Sequence, residues 1–249
     1  MRYGKAVIVG LVQGLTEFLP VSSSGHLALL ARLGIAPSSV FFNLTLHLAT
    51  LCALLLVMRK EVLFALRHPI RGKGFYVVIA SLPTVGVALL VKKLCPALLL
   101  GSMLGFGFVL TSVVLFLAET VGKGSKEREL SGKISLLTGL AQGIAVLPGV
   151  SRSGTTIATL SCCGVERVQG AKFSFLLSIP VIVGGFLSEG MESGFSAAGA
   201  SFPEIALSAA AAFISGVIAV RFMLNIVKKG LKPFIPYTFA LGILCYFLP

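Results

Sequence analysis

Long apolar runs alternate with short polar breaks along almost the whole chain. Six runs reach the length of a membrane span, at about 41–58, 74–92, 101–118, 173–190, 204–227 and 234–248. Crossing the hydrocarbon core takes roughly 20 apolar residues as a helix. Two further stretches behave differently. Residues 4–34 begin apolar, break at 17–20 (EFLP) and 22–25 (SSSG), and turn apolar again. Residues 133–163 do the same, breaking at 148–149 (PG) and 151–154 (SRSG). Each arm is short for a crossing, about 12–16 residues against roughly 20. The pattern predicts two helix–loop–helix hairpins that dip into the membrane and return. Irregular backbone at that depth is tolerated only where protein or a water-filled cavity surrounds it.

The two breaks are copies of each other. Residues 10–25 read GLVQGLTEFLPVSSSG and residues 139–154 read GLAQGIAVLPGVSRSG. A shift of 129 aligns them without a gap, and eight of the 16 positions match, Gly10/Gly139, Gln13/Gln142, Ser22/Ser151 and Ser24/Ser153 among them. Three predicted spans follow each hairpin. Three is odd, so the second half is expected to be inverted relative to the first, with a shared site near the bilayer midplane. The expected fold is therefore an all-α polytopic membrane protein. It has six transmembrane helices and two re-entrant hairpins in an inverted-topology repeat. One membrane domain is expected over 1–249, with halves at about 4–118 and 133–248.

Composition supports a membrane protein. The chain is 56% hydrophobic and only 12% charged, about half the charged fraction of a soluble domain. The net charge of +12 does not point to nucleic acid, because the basic residues gather in short loops, as the positive-inside bias predicts for an inner membrane. Arg59, Lys60, Arg67, Arg71 and Lys73 mark one loop; Lys123, Lys126, Arg128 and Lys133 a second; Lys228, Lys229 and Lys232 a third. The stretch 189–203 carries Glu189 and Glu192 but no Lys or Arg. With the three basic loops inside and that stretch outside, the six spans alternate. Arg2, Lys5, Arg32, Lys92 and Lys93 are the exceptions, and both termini face outside. No cleavable signal peptide is expected, since the first apolar stretch runs into the repeat motif. The five cysteines lack metal-ligand spacing and read as small packing residues.

Glu17 is the sharpest candidate for chemistry. An ionisable side chain inside an apolar segment is costly and marks function by default. Its repeat mate is Val146, so the hairpin itself does not need a carboxylate there. Gln13 lies one helical turn before it, on the same face, although the mate Gln142 also suits a structural role. Ser22, Ser23, Ser24 and His26 open the second arm of the first hairpin. One serine suffices to cap a helix; three serines and a histidine suggest an anion site with an acid–base group. In the second hairpin Arg152 takes the place of Ser23, flanked by Ser151, Ser153 and Thr156. Arginine offers a permanently charged fork suited to phosphate oxygens. One half thus supplies acid–base and nucleophilic groups and the other an anion cradle, the division that phosphoryl transfer asks for. His47, alone in its span with no mate and no motif, reads as a packing residue.

At these residues the chain resembles a known family. QGLTEFLPVSSSGH (13–26) and LPGVSRSGTT (147–156) are similar to the two signature motifs of the undecaprenyl-diphosphate phosphatases of the bacitracin-resistance type, and the likeness extends over essentially the whole chain. The resemblance implies hydrolysis of undecaprenyl diphosphate to undecaprenyl phosphate and inorganic phosphate, which recycles the lipid carrier for cell-wall synthesis. It implies Mg2+ or Ca2+ as cofactor, an active site open to the outer face, and commonly a homodimer. Carried over by position, Glu17 and Gln13 match the acidic motif. The family has Glu or Gln at the first of these positions, so here Glu17 is the main expected cation ligand. Ser23 and His26 match the positions proposed for the nucleophile or proton-transfer group, and the residues do not say which attacks. Ser22, Ser24, Ser151, Arg152, Ser153 and Thr156 fall to phosphate binding. A flippase or transporter of a polyprenyl phosphate would use the same repeat and stays open as the alternative.

Overall fold

A computed structural model describes residues 3–37, 39–68, 72–99, 101–122, 128–193 and 200–248. Arg2, Arg71, Lys123 and Lys126 of the charge pattern lie outside them. The described residues form helices and no strand: α1 (Tyr3–Phe18), α2 (Ser23–Arg32), α3 (Val40–Val57), α4 (Arg59–Arg67), α5 (Lys73–Leu94), α6 (Leu104–Val121), α7 (Gly132–Ile144), α8 (Arg152–Cys162), α9 (Arg167–Ser193), α10 (Phe202–Ile226) and α11 (Phe234–Leu244), with three short 3₁₀ turns. The shift of 129 that aligns the motifs also aligns the elements. It carries α1 onto α7, α2 onto α8, α3 onto α9, α5 onto α10 and α6 onto α11.

Among the described residues five helices are long and apolar enough to cross a membrane: α3, α5, α6, α9 and α10. The chain is a multi-pass membrane protein. The sixth expected span is shorter than the sequence window. Helix α11 covers 11 residues where 234–248 was expected. A turn at Gly230 (φ +106°) and Pro233 sets its start, and residues 245–247 leave it in turns bonded to Leu241, Ile243 and Leu244.

The chain breaks where its capping residues stand. Ser22 accepts from the Gly25 N–H (3.3 Å) at the start of α2, and Ser151 accepts from the Gly154 N–H (3.0 Å) at the start of α8. These are the N-cap bonds that a serine before a helix supplies.

Each hairpin packs its first arm on the other half. The Ser208 hydroxyl of α10 donates to the Ala6 carbonyl of α1 (2.9 Å), and the Thr84 hydroxyl of α5 donates to the Gly139 carbonyl of α7 (2.9 Å). A Cβ on Gly10 would fall 2.1 Å from the Ser208 carbonyl oxygen, and one on Gly139 would fall 2.0 Å from that of Ala80. Only glycine lets the backbones come this close. The contacts also fix direction. Gly10 and Gly14 of α1 meet Ser208 and Ser215 of α10 in order, and Gly139 and Gly143 of α7 meet Ala80 and Val87 of α5 in order, so each pair runs parallel. Lys73 reaches Gln169 at one end of α5, and Lys92 reaches Glu192 (2.6 Å) at the other, so α5 and α9 run parallel as well. The apolar core between the halves is built from residues such as Phe18, Leu54, Leu115, Phe175 and Met223, all fully buried.

Candidate active site

The two breaks meet. The Ser153 hydroxyl at the start of α8 donates to the Leu19 carbonyl of the first break (3.0 Å). Between them lies a cavity of about 240 Å³ lined by Glu17, Ser22, Ser23, Ser24, Ser151, Arg152 and Ser153, together with His47 of α3 and Glu189 of α9.

Glu17 is the hub, with its side chain only 3% exposed. Arg152 Nη2 donates to its Oε1. The Ser23 hydroxyl donates to its Oε2 (2.6 Å), as does Gln13 Nε2 (2.9 Å), and His47 Nδ1 stands 3.1 Å from the same oxygen. A carboxylate this deep is stable only when its lone pairs are met, and four side chains meet them here. The partners come from both halves of the chain. Arg152 Nη1 is buried and has no partner among the described residues. A desolvated guanidinium N–H is costly to leave unmet, and an anionic oxygen in the cavity would satisfy it.

The serines repeat their geometry. Ser22 Oγ stands 3.3 Å from Ser24 Oγ, and Ser151 Oγ stands 3.3 Å from Ser153 Oγ. The backbones differ. Ser22 has φ +68° and is the one non-glycine residue with positive φ among the described residues, whereas Ser151 has φ −75°. Such a conformation costs of order 1–3 kcal/mol and persists only where the surroundings enforce it. It throws Ser23 onto Glu17.

Three of the expected site residues stand back from the cavity wall. Gln13 is fully buried behind Glu17. Thr156 is fully buried and bonded to Ser174 Oγ (2.6 Å) and the Arg152 carbonyl (2.9 Å), so it steadies the first turn of α8. His26 has both ring nitrogens engaged. Nδ1 lies 2.7 Å from the Ser22 carbonyl and Nε2 lies 2.7 Å from Tyr237 Oη. A carbonyl can only accept, so Nδ1 carries the proton and the ring's remaining lone pair faces the tyrosine hydroxyl. His26 also stacks on Tyr237 and meets Phe108 edge-on. Of the two candidates for the nucleophile or proton-transfer group, Ser23 lines the cavity and His26 stands behind the α2 start.

The donor set around Glu17 is too small to enclose a divalent cation without waters and substrate oxygens. Both carboxylate oxygens already accept bonds, one of them from a guanidinium. Gln13 adds one neutral oxygen, buried and unpartnered. Among the described residues no three of His, Cys, Asp and Glu stand close enough together to hold a metal by themselves; Mg2+ keeps waters and substrate phosphates and takes only one or two carboxylates, so Glu17 and the Gln13 oxygen are the groups that would hold it.

His47 corrects the sequence reading. It is not a packing ring but a partner of Gln13 and Glu17. The depth argument that singled out Glu17 applied to it equally. Glu189, used in the sequence only as a loop charge, lies near the end of α9 on the cavity wall. Tyr237 and Thr111, whose hydroxyl receives the Ser151 N–H (2.9 Å), carried no signal in the sequence.

A family model described as Bacitracin resistance protein BacA matches residues 6–244. The chain belongs to this family. It is 40% identical over 250 residues to an undecaprenyl-diphosphatase of Carboxydothermus hydrogenoformans, covering 98% of this chain and 96% of that one. An undecaprenyl-diphosphatase of Christiangramia forsetii is 36% identical, with 96% and 95% covered. One of Korarchaeum cryptofilum is 35% identical, with 98% of each covered. The family match spans both hairpins and every side chain that lines the cavity.

Proposed function

We propose that the chain is a membrane phosphatase that hydrolyses undecaprenyl diphosphate to undecaprenyl phosphate and inorganic phosphate. The family and the relatives' shared name carry the substrate class. One observation carries the chemistry: a guanidinium with one nitrogen on Glu17 and another buried without a partner, beside a serine whose hydroxyl already donates to the same carboxylate. Arg152, Ser151, Ser153 and the cavity-facing start of α8 would hold the terminal phosphoryl oxygens. Ser23 Oγ attacks phosphorus while its proton passes to Glu17 Oε2. The bond to the bridging oxygen breaks, and undecaprenyl phosphate departs as an anion. Water then hydrolyses the phosphoserine, which regenerates Ser23 and releases phosphate and a proton. Holding charge in place before reaction is the main contribution of such a site. A divalent cation, Mg2+ or Ca2+, would be held by Glu17 and the Gln13 oxygen and would offset charge on the phosphate oxygens.

The parallel pairs α1/α10 and α7/α5 support the inverted repeat. Helices α5, α7 and α9 run one way, α1 and α10 the other, so the two hairpins enter from opposite faces. In this reading α11 with its flanking turns completes six spans in one membrane domain over 1–249, with halves at about 4–118 and 133–248. The protein sits in the plasma (inner) membrane. Glu189 on the cavity wall belongs to the stretch without Lys or Arg, which supports a site facing the outer side. One chain supplies every group of the site, so a second copy is not needed to complete it. The relatives are named as hydrolases, which favours hydrolysis over transport.

The deciding experiment is phosphate release from C55 diphosphate by purified protein in detergent, where no second compartment exists. Arg152→Ala is expected to lower kcat by about 10³-fold while the protein stays monodisperse. Full turnover by that variant would defeat the site assignment.

A further inference from the structure

His47 lies on α3, outside both repeat motifs. Under the shift of 129 its mate is Leu176, a buried core residue. The pair therefore follows the pattern of Glu17 and Val146, ionisable in one half and apolar in the other. His47 Nδ1 stands 3.1 Å from Gln13 Nε2 and 3.1 Å from Glu17 Oε2, while Gln13 Nε2 stands 2.9 Å from that oxygen. The three atoms form a closed triangle. The tautomer decides which edge His47 bonds: with Nδ1 bare, the ring accepts the second N–H of Gln13 and holds Glu17 through it; with Nδ1 protonated, it donates to Glu17 directly.

We propose that His47 is a positioning residue of the site: with Gln13 it clamps Glu17 Oε2 onto the Ser23 hydroxyl. The proposal rests on the phosphatase reading above. The terminal torsion of a glutamate is soft, and the other oxygen of Glu17 is held by Arg152. A substrate phosphate would bind the unpartnered nitrogen of that same guanidinium. Any shift of Arg152 toward the phosphate is passed to Oε1, and the contacts of Oε2 must keep the carboxylate in register with Ser23. A misplacement of about 1 Å in such a constellation costs on the order of 10²-fold in rate. The His47 side chain is 27% exposed, on the cavity wall, so it is not held there by burial alone. A ring that only fills space would not need its Nδ1 on two polar partners.

The test uses the full chain in detergent with C55 diphosphate. His47→Ala is expected to lower kcat by about 10- to 100-fold with KM within about 3-fold of wild type, the mark of an interaction used in the chemical step. His47→Asn places a nitrogen where Nδ1 stands and is expected to recover activity to within about 5-fold of wild type. His47→Gln reaches instead toward the place of Nε2 and is expected to keep the defect. Thermal unfolding of each variant separates loss of fold from loss of rate; if the alanine variant fails to fold, the Asn-against-Gln comparison decides. An alanine variant within 2-fold of wild type, or Asn no better than Gln, would overturn the role of His47 alone. Wild-type protein that releases no phosphate would overturn the phosphatase reading and this role with it.

Discussion

The two hairpins share a frame and divide the chemistry. Both open their second helix with a serine cap, both repeat the 3.3 Å serine pair, and both press a glycine onto a helix of the opposite half. Three of their differences bear on the cavity: Glu17 against Val146, Ser23 against Arg152, and the backbone of Ser22 against that of Ser151. The matching residues solve the problem of breaking a helix inside a membrane. The mismatched ones place a serine hydroxyl and a carboxylate on one side of a cavity and a guanidinium on the other. The shared positions carry the geometry, and the differing ones carry the opposite charges.

The comparison can be broken at its mismatches first. Ser23→Ala removes the oxygen proposed to attack phosphorus and is expected to lower kcat by at least about 10³-fold, whereas Ser24→Ala, on the same cavity, should cost far less; phosphate release under saturating substrate checks both. A Ser23→Ala enzyme with near-normal turnover would return the nucleophile's role to another group.

The matching positions should respond in parallel and through stability. Gly10→Ala and Gly139→Ala each drive a methyl into a carbonyl oxygen of the facing helix. Each is expected to destabilise by several kcal/mol, above the roughly 1–3 kcal/mol typical of overpacking because the atom met is backbone. Thermal unfolding in detergent reads this. A neutral result at one glycine and not the other would show that the frames are not equivalent.

The cap serines give the finest comparison. Ser22→Ala and Ser151→Ala each lose one N-cap bond, about 1 kcal/mol. Ser22→Gly should recover stability relative to Ser22→Ala, because glycine tolerates φ +68° without strain. Ser151→Gly has no strain to relieve, and only the loss of the cap should register.

Much of this site was legible in the sequence. Glu17, Ser23 and Arg152 stood out because charge and clustered hydroxyls in an apolar run have few structural excuses, and the repeat said which of them the frame did not require. The spans were legible from hydropathy, except that α11 ends sooner than its apolar window. What stayed hidden was pairing. Whether His26 faces a substrate or braces a helix depends on Tyr237, 211 positions away, and no local pattern encodes that contact. His47 was passed over because it stands alone on its helix; its meaning comes from α1. The carboxylate's use is likewise a matter of neighbours. Sequence showed a lone acid, and the structure shows one already met by four side chains.

The exchange of hairpins between halves has a consequence for how the chain is made. The first arm binds Ser208 and its neighbours, about 200 residues further along. At about 5–20 residues per second of synthesis, α1 waits on the order of 10–40 s for the helix that will hold it. For about 7–27 s of that wait Glu17 has no Arg152, 135 residues away, to answer its charge. A truncated or stalled chain therefore carries the acid and the serine but cannot hold them in a working arrangement. Activity arrives only when the last third of the protein has entered the membrane.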